Sequence, residues 1–270
     1  MSSSYFMEYY GRHARELATR LRRVFIAWLI SLILFLSLPA SAFTPEEFMA
    51  GTYLPLSVYL VNKITYYLLS SPLTGGVNIT FIAEHLSMGF EIWFLSSLFF
   101  SVLIALPIFV VELWRFIEPG LYEHEKRILK KTFYPVMASF ILGCLFGLFI
   151  LVPIILRAFV MVNLWFNVEP IISYTDFVGF IASTILFSGV FMTAPVIVYG
   201  LILVGIVPVE LLSKYRGPLY VGLYIIAAII TPDGGTFGSA VLALPIIILF
   251  EIVIQLGKRK KGKRVNCCRQ

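Results

Sequence analysis

Charge is scarce in this chain. Only 13% of its 270 residues are Asp, Glu, Lys or Arg, against 59% hydrophobic. So little polar side chain cannot cover a water-exposed surface, which excludes a soluble globular domain and makes lipid part of the solvent. Cysteine is scarce as well: Cys144 lies in an apolar run and Cys267–Cys268 in a basic tail. These make no disulfide framework and no Cys/His spacing for a metal, which leaves inert thiols or a palmitoylated tail pair. The three histidines, His13, His85 and His124, fall outside the long apolar runs, so they form no intramembrane proton relay. There is no G-x-x-x-x-G-K-[ST] for a nucleotide, no G-x-S-x-G and no H-E-x-x-H. The expectation is a non-enzymatic protein without cofactor or metal.

What the chain does have is long uncharged runs. Val24–Phe43 is the first, twenty residues long. At about 1.5 Å per residue that matches a hydrocarbon core of about 30 Å. Ile92–Val111, Thr132–Leu156 and Phe177–Val209 follow, then the shorter Gly217–Thr231 and finally Phe237–Leu256. The expected fold class is an all-α integral membrane protein with six transmembrane helices, near residues 24–43, 92–114, 132–156, 180–203, 217–231 and 237–256. A cytoplasmic segment, 1–23, would precede them, and a basic cytoplasmic tail, 257–270, would follow. The residues before and after Val24 also read as an export signal, with Arg22-Arg23 and an Ala40-Ser41-Ala42 site. The further apolar runs favour an uncleaved first span.

The long gap between the first two spans contains Leu54–Ser70, apolar but with Asn62-Lys63 at its middle. A central Lys costs about 3 kcal/mol on insertion scales, so an outer interfacial helix is the better reading. Ser71-Pro72 and Gly75-Gly76 then punctuate turns.

The few charges set the orientation. Of the 21 Lys and Arg residues, only Lys63 and Arg157 fall in the expected outer segments. The others lie in the N-terminal segment, the Arg115–Lys131 loop, the Lys214–Arg216 loop and the tail. Basic residues mark the cytoplasmic side, so both termini are expected there. The +6 balance is thus a sign of membrane topology, and no nucleic-acid partner is expected. No internal repeat divides the chain into the two halves of a secondary transporter.

The polar island is Glu112–Lys131, with five basic residues and four acids between two apolar walls. Pro119-Gly120 ends the preceding helical pattern, and Glu123 and Glu125 stand where a helix resumes, which suits carboxylates. Taken alone this is either a solvated hairpin or a recognition surface. Its residues, Phe116-Ile117-Glu118-Pro119-Gly120-Leu121-Tyr122-Glu123-His124-Glu125-Lys126-Arg127, resemble the signature loop of the TatC family. That family is the multi-spanning receptor subunit of the twin-arginine protein translocase. His13-x-x-Glu16-Leu17-x-x-Arg20-Leu21 is similar to the family's N-terminal motif. Ser71-Pro72-Leu73, Ala194-Pro195-Val196, Thr231-Pro232-Asp233, Leu244-Pro245 and Phe250-Glu251 resemble further family positions, in the family's order.

The resemblance implies a receptor in the cell membrane that binds the twin-arginine signal peptides of folded cargo at the cytoplasmic face. Export would be driven by the protonmotive force, with single-span TatA/TatB-type subunits as partners and a homo-oligomer within a larger complex. Glu16 and Glu125 are the implied arginine site, since guanidinium pairs bidentately with carboxylate. Arg20, Phe116, Pro119, Leu121, Tyr122 and Arg127 are the implied surroundings, and Pro72, Thr193, Asp233 and Glu251 the further family positions. Two departures stand out. Ala18 replaces a basic residue found in some relatives, and Thr193 replaces a fourth-span Glu or Gln. Thr193 is expected to donate a hydrogen bond across the bundle. The competing reading is a small-solute secondary transporter, which would need a polar cavity at the bilayer midplane; the apolar runs supply almost no charge there.

Overall fold

The computed structural model describes residues 3–40, 54–74, 79–117, 123–231 and 237–267. In chain order these form α1 (Ser3–Ser37), α2 (Leu56–Ser70), β1 (Thr80–Ile82), α3 (Met88–Ile117) and α4 (Glu123–Phe146). A π-helical turn, Gly147–Leu151, joins α4 to α5 (Val152–Trp165). There follow β2 (Ile171–Ser173), α6 (Tyr174–Val204), α7 (Val209–Lys214), α8 (Arg216–Ile230) and α9 (Phe237–Cys267).

Among the described residues, four helical stretches are long and apolar enough to cross a membrane: Met88–Leu113, Lys130–Trp165, Tyr174–Val204 and Phe237–Arg259. α8 is apolar but only 15 residues long, short of the roughly 20 that a straight span needs. The helix through α4 and α5 continues past Arg157 to Trp165, although the uncharged run closes at Leu156. Pro153 sits at the start of α5, where a missing N–H costs least. The π turn immediately before it absorbs one extra residue per turn, as such bulges do inside long helices.

Helix dominates, yet the chain is not purely helical. β1 and β2 pair in parallel, with Thr80 opposite Ile171 and Ile82 opposite Ser173. Neither three-residue strand carries an alternation long enough to be read as a strand. The pairing exists because tertiary contacts bring the two segments together.

The chain divides into two compact units, Met1–Thr65 with Ala83–Tyr122, and Tyr66–Ile82 with Glu123–Gln270. In the first, α1 lies along α3, and the Ser97 hydroxyl of α3 donates to the Phe35 carbonyl of α1 at 3.4 Å. Ser57 of α2 and Ser96, Ser97 and Ser101 of α3 are all fully buried. The Ser97 hydroxyl bridges to the Ser57 hydroxyl at 2.9 Å, and the Phe35 and Phe100 rings stack with centroids 5.4 Å apart. Small residues let backbones come close where lipid offers no hydrophobic drive. The α1 exit and α2 entry are tied by Leu56 N–H donating to the Leu38 carbonyl at 2.8 Å. Within α2, Lys63 extends its ammonium over the Tyr59 ring, 5.9 Å from its centroid.

The second unit is built on α4 against α6. Ser188 donates to the Gly143 carbonyl at 2.9 Å, and Ser139 to the Met192 carbonyl at 2.7 Å. Leu151, Ile155, Phe191, Leu223, Leu242 and Ile246 form its apolar centre. Phe81 of β1 lies against the rings of Tyr174 and Phe177 at the start of α6.

Candidate functional site

Glu16 and Arg20 are four residues apart on α1, the spacing that places side chains one above the other on a helix. Arg20 donates from Nη2 to Glu16 Oε1 in an ion pair, with the Glu16 side chain 44% exposed and that of Arg20 18% exposed. Leu17, Leu21 and Val24 follow on the neighbouring stripe at helical spacing. On α3, Phe109, Glu112, Leu113 and Phe116 occupy the equivalent stripe at i, i+3, i+4 and i+7. Together with Arg20 these residues line a small cleft of about 20 Å³. Leu21, Val24 and Phe109 also line an adjoining cleft of about 260 Å³, continued by Phe25, Trp28, Val102, Ala105 and Leu106. The surface therefore has a short polar head and a longer apolar trough.

Glu112 is the residue that the sequence reading left out. It appeared there only as the first acid of the polar hairpin. In the structure it is 7% exposed, and its Oε1 accepts from Arg115 Nη1 at 3.0 Å. Its Oε2 is buried and has no hydrogen-bond partner among the described residues. The available signal was its spacing from Phe116, which puts an acid on the apolar face of α3.

Arg20 and Phe116 of the expected site thus share one cleft, with Glu16 paired to Arg20. Glu125 and Arg127 stand in the first turns of α4, in the second unit. Pro119, Leu121 and Tyr122 lie outside the described residues, as does Asp233.

The remaining family positions have structural settings. Pro72 sits in a turn closed by Thr74 N–H donating to the Ser71 carbonyl at 3.1 Å. The Thr74 hydroxyl locks that turn onto Leu68 O at 2.9 Å. Thr193 does not reach across the bundle: its hydroxyl donates to the Val190 carbonyl of its own helix at 2.6 Å. This is the local back-bond to a carbonyl of the preceding turn that a helical threonine can make. Glu251 accepts from Arg216 at 2.8 Å and from the Tyr220 hydroxyl, tying α9 to α8. Among the described residues no three His, Cys, Asp or Glu side chains cluster as metal ligands.

Residues 12–245 match the family described as Sec-independent protein translocase protein (TatC). A TatC protein of Azotobacter chroococcum mcd 1 is 34% identical over 203 residues, which is 72% of this chain and 76% of that protein. A TatC protein of Aquifex aeolicus (strain VF5) is 33% identical over 171 residues, covering 62% and 70%. The fold is similar to a crystal structure of the twin arginine translocase receptor TatC in DDM, with a TM-score of 0.70 and 28% identity. That similarity covers 91% of this chain and 99% of the other. With four helices able to cross a membrane and a family match over most of its length, the chain is a multi-pass membrane protein. It belongs to the TatC family of Sec-independent protein translocase components, which serve protein transport by the Tat pathway.

Proposed function

We propose that this chain is the receptor subunit that binds twin-arginine signal peptides of folded cargo at the cytoplasmic face of the cell membrane. It spans the bilayer six times with both termini inside, α1 and the short α8 supplying the spans beyond the four long apolar stretches. Small single-span TatA/TatB-type subunits complete the complex, several copies of the chain join it, and the protonmotive force drives export. Glu16 and Glu125 take the two guanidinium groups; Arg20, Phe116, Pro119, Leu121, Tyr122 and Arg127 surround them.

The observation that carries this reading is the Glu16–Arg20 pair at the head of an apolar cleft. A carboxylate already holding a guanidinium on an exposed helix face is matched to an incoming arginine, because exchange replaces like with like. The adjoining trough suits the apolar stretch that follows the basic residues of a signal peptide. A cytoplasmic position for this end of α1 and α3 is supported by the 19 basic residues outside Lys63 and Arg157.

The test is binding of a fluorescent twin-arginine signal peptide to the purified full chain in nanodiscs, against the same peptide with both arginines changed to lysine. Tighter binding of the arginine peptide, weakened by Glu16→Gln and by Glu125→Gln, is expected. Equal binding of both peptides to the unaltered chain overturns the reading.

A further inference from the structure

The head of the α1/α3 cleft holds a buried acid that is only half used. Glu112 gives Oε1 to Arg115 at 3.0 Å, while Oε2 is buried without a partner among the described residues. An ionised carboxylate offers about four acceptor positions, and an oxygen both dehydrated and unpaired is unfavourable. Such a group calls for an explanation, and a ligand that supplies the missing donor is one.

The lining of the cleft selects the kind of ligand. Glu112 lines the cleft with Leu17, Leu21, Val24, Leu113 and two phenylalanines, and a single carboxylate cannot satisfy a divalent cation, which needs six or more oxygens. It fits one organic cation. Arg20, which lines the same cleft, shows that a guanidinium is compatible with these walls. Phe109 and Phe116 line the cleft, and a planar guanidinium can stack on an aromatic face while donating edge-on to a carboxylate. An ammonium would remain more strongly hydrated and lacks the planar fork.

We propose that Glu112 is a third peptide-binding carboxylate: its unused Oε2 receives one guanidinium of an arginine-bearing signal peptide, with Phe116 against the face of the cation. This rests on the receptor reading above and adds a residue to it. The cleft of about 20 Å³ has room for one water or a side-chain tip. The arginine therefore enters as Arg20 moves aside, and the apolar residues that follow lie along the adjoining trough of about 260 Å³.

The experiment measures affinities of the full chain in nanodiscs for a twin-arginine peptide and for its single and double lysine versions. The isosteric Glu112→Gln variant is expected to lose about tenfold to a hundredfold in affinity for the twin-arginine peptide. It is also expected to lose the preference for arginine over lysine at one of the two positions. Arg115→Gln, which frees Oε1, is expected to stay within about threefold of the unaltered chain. Should E112Q bind normally while the unaltered chain still prefers arginine, Glu112 is not a ligand and the receptor reading stands. Equal losses in E112Q and R115Q assign the pair a purely structural role and overturn the inference. No arginine preference in the unaltered chain removes the receptor reading itself, and this inference with it. A photoreactive residue placed next to the arginine pair tests the same point without substituting the receptor. Adducts at Leu113 or Phe116 are expected, and adducts confined to other segments overturn the proposal.

Discussion

Ser188 on α6 donates its hydroxyl proton to the Gly143 carbonyl on α4 at 2.9 Å, where the two backbones are in close contact. A Cβ on Gly143 would stand 2.8 Å from the Ser188 carbonyl oxygen and 2.9 Å from the Gly189 Cα. Glycine is therefore required at Gly143 by the neighbouring backbone, and no side-chain rotation relieves the contact.

Gly143→Val is expected to destabilise the protein by roughly 1–3 kcal/mol, the usual cost of overpacking. Thermal unfolding in detergent, followed by tryptophan fluorescence, reads it as a lowered midpoint. Ser188→Ala removes only a hydrogen bond inside the bundle and should cost about 0.6 kcal/mol. A Gly143→Val midpoint no lower than that of Ser188→Ala would show that the helices can separate freely here.

In the first unit the Ser97 hydroxyl meets Ser57 at 2.9 Å, and both side chains are fully buried. Ser97→Val strands the Ser57 oxygen, so a loss of about 1–2 kcal/mol is expected. Ser57→Ala together with Ser97→Ala should cost less than Ser97→Val alone, because no polar group is left unpaired. The ordering of the two melting midpoints is the measurement.

Glu251 connects α9 to α8 through Arg216 at 2.8 Å and the Tyr220 hydroxyl. The Glu251 and Arg216 side chains are about a third exposed, 31% and 37%, so solvent screens the pair. Glu251→Ala is expected to cost about 1 kcal/mol. A double-mutant cycle with Tyr220→Phe should give a coupling energy clearly above zero; additive losses would dissolve the link.

Thr193 spends its hydroxyl on the Val190 carbonyl of its own helix. Thr193→Val should therefore leave stability within about 0.5 kcal/mol and leave export of a twin-arginine reporter intact in cells. Abolished export by a folded Thr193→Val chain would show that this hydroxyl serves a partner.

The proposed contact of an arginine peptide with the Glu16–Arg20 ion pair predicts binding that is sensitive to salt. Raising ionic strength from about 0.05 M to 0.5 M should weaken binding several-fold, because the Debye length shrinks from about 14 Å to about 4 Å. The Glu16→Gln variant should show a shallower salt slope; an identical slope would place the electrostatic contact elsewhere.

Reading the residues in order reached the long apolar runs, the Glu16–Arg20 spacing and the family motifs, because each depends on neighbours within a few turns. Burial in hydrocarbon is tallied residue by residue along one helix, and i, i+4 pairing follows from helix geometry alone. Glu112 was present in the same stretch but read as a loop acid. Its burial in a cleft shared with α1 residues such as Arg20 depends on a contact across some ninety residues of sequence.

The sequence by itself determined that this chain lives in lipid, which segments are apolar enough to become helix there, and which family it resembles. Those properties are local sums of transfer free energy and local spacing. Tertiary structure alone decided that β1 meets β2 and that the third apolar helix runs on through Arg157. It also decided that Ser188 must face a glycine, that Thr193 turns back on its own helix, and that one oxygen of Glu112 is buried without a partner among the described residues. Each of these rests on which distant group arrives within about 3–4 Å, and hydrogen bonds and van der Waals contacts act only at that range.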